Sequence, residues 1–254
     1  MREFLARYMP TDASAHGQNL DTISALVHWL MFILLVGWGL YFIFVLWRFR
    51  ASRNPKASYH GVKSKISTYS EAGIVVVEAI LLIGFSIPAW SRWVEPPPAG
   101  SNPIEIRVVA EQFAWNVHYP GPDGVFGRVD SSLVSATNPL GLDPADRKGA
   151  DDILSINQLH LPVNRPVIVR LSSKDVIHSF ALPTMRVKQD AIPGMEIQVY
   201  FTPVRTNGEE RWEIACAQLC GLGHYRMRGF LTVHTEEEFA AWLGENAPAP
   251  APVG

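Results

Sequence analysis

Residues 23–47 run for 25 positions without an Asp, Glu, Lys or Arg, long enough as one helix to cross a bilayer core of about 30 Å. Alone, such a run could equally be the core helix of a soluble protein. A second apolar segment follows at 72–90, carrying one carboxylate, Glu78. Residues 48–65 between them hold Arg48, Arg50, Arg53, Lys56, Lys63 and Lys65 and no acid, with Glu71 just before the second segment. Two consecutive apolar spans around a basic loop predict a transmembrane hairpin with that loop in the cytoplasm. Both termini and everything after Trp93 then lie on the opposite face, the periplasmic side of a bacterial inner membrane. The first twenty residues lack a small-residue cleavage motif, so the first span is expected to be retained.

After the hairpin, Glu95-Pro-Pro-Pro98 cannot continue a helix and reads as a stiff linker. Runs at 104–109, 167–171, 196–200, 211–215 and 229–233 alternate apolar and polar residues with the period of half-buried strands. They predict an all-β sandwich. Residues 120–155, rich in Gly, Asp and Pro, predict a surface excursion. Thr235 and Glu238 have capping-box spacing before an apolar run, so a short helix is expected, followed by a disordered Ala-Pro tail. The resulting partition is an N-terminal external segment over 1–21, the hairpin over 22–93, a linker over 94–103, the β domain over 104–234, and helix plus tail over 235–254. No repeat, haem-attachment motif or nucleotide-binding loop occurs, and a formal net charge of −2 gives no reason to expect a nucleic-acid partner.

The chain's two cysteines lie in Cys216-Ala-Gln-Leu-Cys220-Gly-Leu-Gly-His224-Tyr-Arg-Met227, so two thiols, an imidazole and a thioether share twelve residues. These are soft ligands, and they suit copper. Two thiolates on one tight loop can bridge two ions, with a further ligand expected from Asp175-Val-Ile-His178-Ser-Phe. A structural disulfide or a zinc site of Cys, Cys and His are the alternatives. A disulfide leaves the His and Met spacing unexplained, and zinc has little use for a thioether.

The loop pattern C-x-x-x-C-G-x-x-H-x-x-M, with the segment from Asp175 through Lys188-Gln-Asp190-Ala-Ile-Pro-Gly194, resembles subunit II of haem-copper cytochrome c oxidases. The resemblance covers most of the chain. It implies a cupredoxin-type Greek-key barrel with the loop between its last two strands. It further implies a dinuclear copper centre, CuA, held by His178, Cys216, Cys220, His224, Met227 and the backbone carbonyl of Gln218. The implied function is to accept electrons from a c-type cytochrome and pass them to haem in subunit I, where oxygen is reduced with proton translocation. Subunit I and subunit III are the implied partners, and this chain carries no haem.

The sequence departs from the family at informative positions. Where relatives carry the first tryptophan of Q-W-x-W, the electron-input residue, this chain has Phe113; Trp115 keeps the second, a packing position. His118 stands where relatives often carry an acid. Gln218 replaces a glutamate that binds magnesium, and a neutral amide is a weaker ligand for a hard cation, so magnesium is not carried over. Lys188 and Asp190 match the segment facing subunit I, although Met195 replaces its arginine. Glu71 matches a glutamate near a proton pathway. Glu78 is about 700° further around the helix and about 10 Å deeper, on the same face, and a membrane-embedded acid is expected either to serve proton uptake or to sit neutral and hydrogen-bonded. His16, His28, His60, His160 and His234 lack convergent partners and read as structural or solvated. The alternatives to an oxidase are the electron-input subunit of a CuA-type nitric oxide reductase, a copper-free structural subunit of a quinol oxidase, or a free-standing anchored copper carrier.

Overall fold

The structure, a computed structural model, describes residues 7–56, 59–61 and 64–248. Lys63 of the basic loop and the Ala-Pro tail from 249 onward lie outside the described residues. The first apolar run is one helix, α1 (Gly17–Arg48), beginning before the expected boundary at 22. At 1.5 Å per residue it is about 48 Å long, more than a bilayer core requires. The second span is α2 (Ile66–Leu81), a π-helical turn (Leu82–Ser86) and α3 (Ile87–Val94). Pro88 explains the π turn, because its ring lacks an N–H and crowds the carbonyl four residues back, at Gly84. No residue of α2 is buried, and the apolar window of neither span is covered by protein. Side chains such as Leu35, Phe42, Val75 and Ile83 stand exposed, as expected of a helix that crosses a membrane.

The β domain packs two five-stranded sheets face to face. The first has the order β3-β2-β1-β5-β8, from β1 (Ile104–Glu111), β2 (Ala114–Tyr119), β3 (Ile153–Ile156), β5 (Val167–Ser173) and β8 (Ile197–Phe201). The second has the order β4-β10-β9-β6-β7, from β4 (Gln158–Pro162), β6 (His178–Leu182), β7 (Val187–Ala191), β9 (Trp212–Cys216) and β10 (Arg228–His234). This is the expected cupredoxin-type sandwich. Each sheet also contains one parallel pair, β1 with β5 and β4 with β10. β1 and β5 bury every second residue, as alternation predicts, and Ile106, Val108, Val169 and Leu171 fill the space between the sheets. β6 is buried along its whole length and gives no alternating signal, so period-two reading misses it.

Hydrogen bonds join the two sheets to each other and tie further segments to them. Asn157, at φ 58°, joins β3 in one sheet to β4 in the other, and its Oδ1 accepts the Trp115 backbone N–H at 2.8 Å. The excursion ends at residue 152 rather than 155, because Ile153 starts β3. Its last residue, Asp152, is buried and accepts hydrogen bonds from His118 Nε2 at 2.6 Å and the Gly127 N–H at 2.8 Å. His118 therefore clasps the excursion to β2.

Residues 10–18, within the segment expected to be external, belong to the same compact unit as the β domain. Ala13 is fully buried, donating to the Thr184 carbonyl at 2.8 Å and accepting from the Val204 N–H at 2.8 Å. The short helix, α4 (Glu236–Asn246), starts with the expected capping box on Thr235 and Glu238. Its Trp242 stacks on His160 at 4.2 Å and meets Tyr119 edge-on at 5.0 Å, while His160 Nδ1 and His234 Nε2 share a hydrogen bond of 2.8 Å. Those two histidines are structural, as expected for residues without convergent metal ligands.

Candidate metal centre

At one end of the second sheet, three strands stop within reach of each other. β6 begins with His178, β9 ends with Cys216, and Met227 immediately precedes β10. The ladder places Phe180 opposite Cys216, and the Ala217 N–H continues it by donating to the Ser179 carbonyl at 2.9 Å. The loop then turns through Gly221 at φ 127°, a conformation side chains rarely adopt, into a 3₁₀ turn (His224–Arg226) that carries His224 back. The Cys216 N–H donates to the Met227 carbonyl and closes the loop at 3.3 Å.

The donors that result form a connected cluster. The two thiols are free, with Sγ atoms 3.7 Å apart. Cys216 Sγ lies 3.2 Å from the Gln218 carbonyl oxygen and 3.9 Å from His178 Nδ1. Cys220 Sγ lies 3.7 Å from both His224 Nδ1 and Met227 Sδ, and Met227 Sδ is 3.2 Å from His178 Nδ1. His178, Cys220 and Met227 are 0%, 3% and 2% exposed, so the cluster is walled off on its inner side. Two thiols 3.7 Å apart are close enough that both could hold the same ion. Two imidazoles, two thiols, a thioether and a carbonyl fit soft copper better than zinc, which does not recruit thioethers.

At the thiols, protonation competes with metal. Burial, with the neighbouring Cys216 thiol, pushes the Cys220 thiol up to about 11, so without metal it holds its proton and a bound ion must displace it. His178 turns Nδ1 into the cluster and Nε2 toward Asp175 Oδ1 at 2.9 Å. A carboxylate there takes the Nε2–H and leaves the Nδ1 lone pair facing the cluster. Burial works against the Asp175 charge, yet hydrogen bonds from His178 and from the Gln112 and Val176 amides hold its carboxyl below the usual range.

Residues 104–233 match the family described as cytochrome C oxidase subunit II, periplasmic domain. A relative in Bradyrhizobium diazoefficiens, alternative cytochrome c oxidase subunit 2, is 33% identical over 225 residues, 88% of this chain and 78% of that one. The chain belongs to the cytochrome c oxidase subunit II family. Cytochrome c oxidase subunit 2 of Cereibacter sphaeroides is 30% identical over 244 residues, covering 89% of this chain and 77% of its own. Among solved structures, the periplasmic domain of subunit II of cytochrome oxidase from Bradyrhizobium japonicum is 29% identical, with a TM-score of 0.42, covering 59% of this chain and 95% of that one.

Of the remaining candidates, four lie in the β domain and two on α2. Trp115 is fully buried and meets Phe180 at 5.4 Å and His178 at 6.2 Å, both edge-on. Phe113, in the β1–β2 turn, lies against the loop at Gly223. Lys188 and Asp190 point outward from edge strand β7, with Asp190 opposite Ser179. Glu71 and Glu78 are exposed on α2, in the other compact unit. Gln112 was not singled out for a role by its sequence, yet its side chain reaches the loop: Nε2 donates to the Cys220 carbonyl at 2.7 Å.

Proposed function

We propose that this chain is the electron-input subunit of a haem-copper terminal oxidase, accepting electrons from a c-type cytochrome at a dinuclear CuA centre and delivering them to haem in subunit I. The observation that carries this is the pair of free thiols 3.7 Å apart, flanked by His178, His224, Met227 and the Gln218 carbonyl. Bound copper would supply one-electron storage shared between two ions. The protein's part is to keep its donors still. His178 sits in a buried strand, Met227 is fixed at the start of β10, and Asp175 sets the imidazole tautomer. Little ligand movement means little reorganisation on changing charge. Met227 and the Gln218 carbonyl are weak donors that tune potential more than they hold metal.

The same reading places the basic loop in the cytoplasm and the β domain in the periplasm of a bacterial inner membrane. It also assigns the outward face of β7, with Lys188 and Asp190, to subunit I, with subunit III as a further partner. Glu71 and Glu78 form a proton-uptake stripe on α2. Magnesium is not assigned, because Gln218 offers an amide where a hard cation wants a carboxylate. A reduced c-type cytochrome mixed rapidly with the assembled oxidase should be oxidised before subunit I haem is reduced. The same rate from a Cys220→Ser complex would refute the assignment.

A further inference from the structure

Gln112 and Phe113 belong to the first sheet, whereas every proposed ligand comes from the second sheet and its loop. The two-residue turn that joins β1 to β2 crosses between them. Three contacts converge on it. The Gln112 side-chain amide donates to the Cys220 carbonyl at 2.7 Å, across 108 residues of sequence. Its backbone N–H donates to Asp175 Oδ2 at 2.7 Å, and the other oxygen of that carboxylate faces His178 Nε2 at 2.9 Å. The Phe113 ring lies on Gly223 so closely that a Cβ there would sit 2.4 Å from a ring carbon, and a Cβ on Gly221 would sit 2.6 Å from Gln112 Nε2. The two glycines flanking Leu222 are therefore what lets the turn rest on the loop between Cys220 and His224.

We propose that Gln112 is a positioning residue for the metal centre: from the opposite sheet it fixes the Cys220 carbonyl with its side chain and the carboxylate oriented on His178 with its backbone. This rests on the copper reading above. Cys220 stands on a loop, where backbone freedom is greatest. Its thiol touches Cys216, His224 and Met227 together, so its displacement disturbs three donor contacts at once. The Gln112 backbone bond to Asp175 survives any side-chain substitution, so the amide can be removed by itself.

The test uses the full-length chain in detergent with Gln112→Met, which keeps length without a donor, and Gln112→Glu, which keeps shape and presents a carboxylate to the carbonyl. Copper loss to a chelator should quicken about 10- to 100-fold in both, the range typical for groups that support metal ligands. In the metal-free, reduced chain, alkylation of Cys220 should quicken relative to Cys216, a readout that needs no copper. Wild-type copper loss together with a wild-type alkylation ratio in both variants overturns the proposal. A lower unfolding temperature with those two readouts unchanged overturns it as well, since Gln112 would then serve the fold alone. If the wild-type chain takes up no copper, the functional reading fails, and the alkylation ratio still decides whether Gln112 holds Cys220.

Discussion

The β domain covers its own apolar side chains, and the helical hairpin covers almost none. In the domain, Trp115, Phe180, Leu171 and Ile214 are fully enclosed between two sheets; in the hairpin, α2 buries no residue and most of the large side chains of α1 face outward. The same hydrophobic physics acts on both, against different solvents. The difference also separates two kinds of site. Metal ligands need fixed mutual distances, and a core packed at crystal-like density supplies them. Glu78, exposed on α2, has no such enclosure within the chain.

Substitutions divide along this line. The largest effect is expected from Cys220→Ser, which should abolish the dinuclear centre, read as copper per chain, while leaving the apolar packing intact. Next, Trp115→Ala should lower the unfolding free energy of the domain by about 3–5 kcal/mol through the cavity it leaves. Phe42→Ala on α1 should leave that same unfolding within about 0.5 kcal/mol of wild type, and a comparable loss at both positions would break the comparison. On the hairpin side, Glu78→Gln should reduce proton uptake by the assembled oxidase without altering the copper signal. Unchanged pumping and turnover would remove Glu78 from the proposed stripe.

Acid should weaken the domain through its buried histidines. Burial pushes His118 below its ordinary 6.5, and pushes His160 to about 4, with His234 adding to the effect. Between those limits the unfolded chain binds more protons than the folded one, so stability rises with pH. The contribution is complete above about 6.5 and is lost as pH falls toward about 4. Denaturant midpoints measured across that window should fall with acid, and His160→Phe should flatten the slope. Within the domain a smaller loss than at Trp115 is expected from Thr235→Ala, which removes the capping box of α4 at a cost of about 1 kcal/mol, with no change at the metal centre.

What was legible in the sequence followed local chemistry. The cysteine loop keeps its ligands within twelve residues, the apolar runs exceed any soluble strand, and Thr235 with Glu238 spells a helix start. What was hidden lacked periodicity or depended on distance along the chain. β6 is buried on both faces and does not alternate. β3 and β4 are short and meet at Asn157, so neither shows a full period. Ala13 and Ala15 are tied to the β domain by backbone hydrogen bonds, which leave no side-chain pattern. The pairs Gln112 with Cys220 and His118 with Asp152 join positions 108 and 34 apart, and only the packed sheets bring them together.

The central claim is that one chain holds two coppers as a single electronic unit. Metal analysis and electron paramagnetic resonance of the full-length protein, reduced and reconstituted with copper in detergent, test it most directly. Two coppers per chain and one unpaired electron with hyperfine coupling to both nuclei are expected. One localised copper, zinc in its place, or a metal-free Cys216–Cys220 disulfide that resists loading would contradict it.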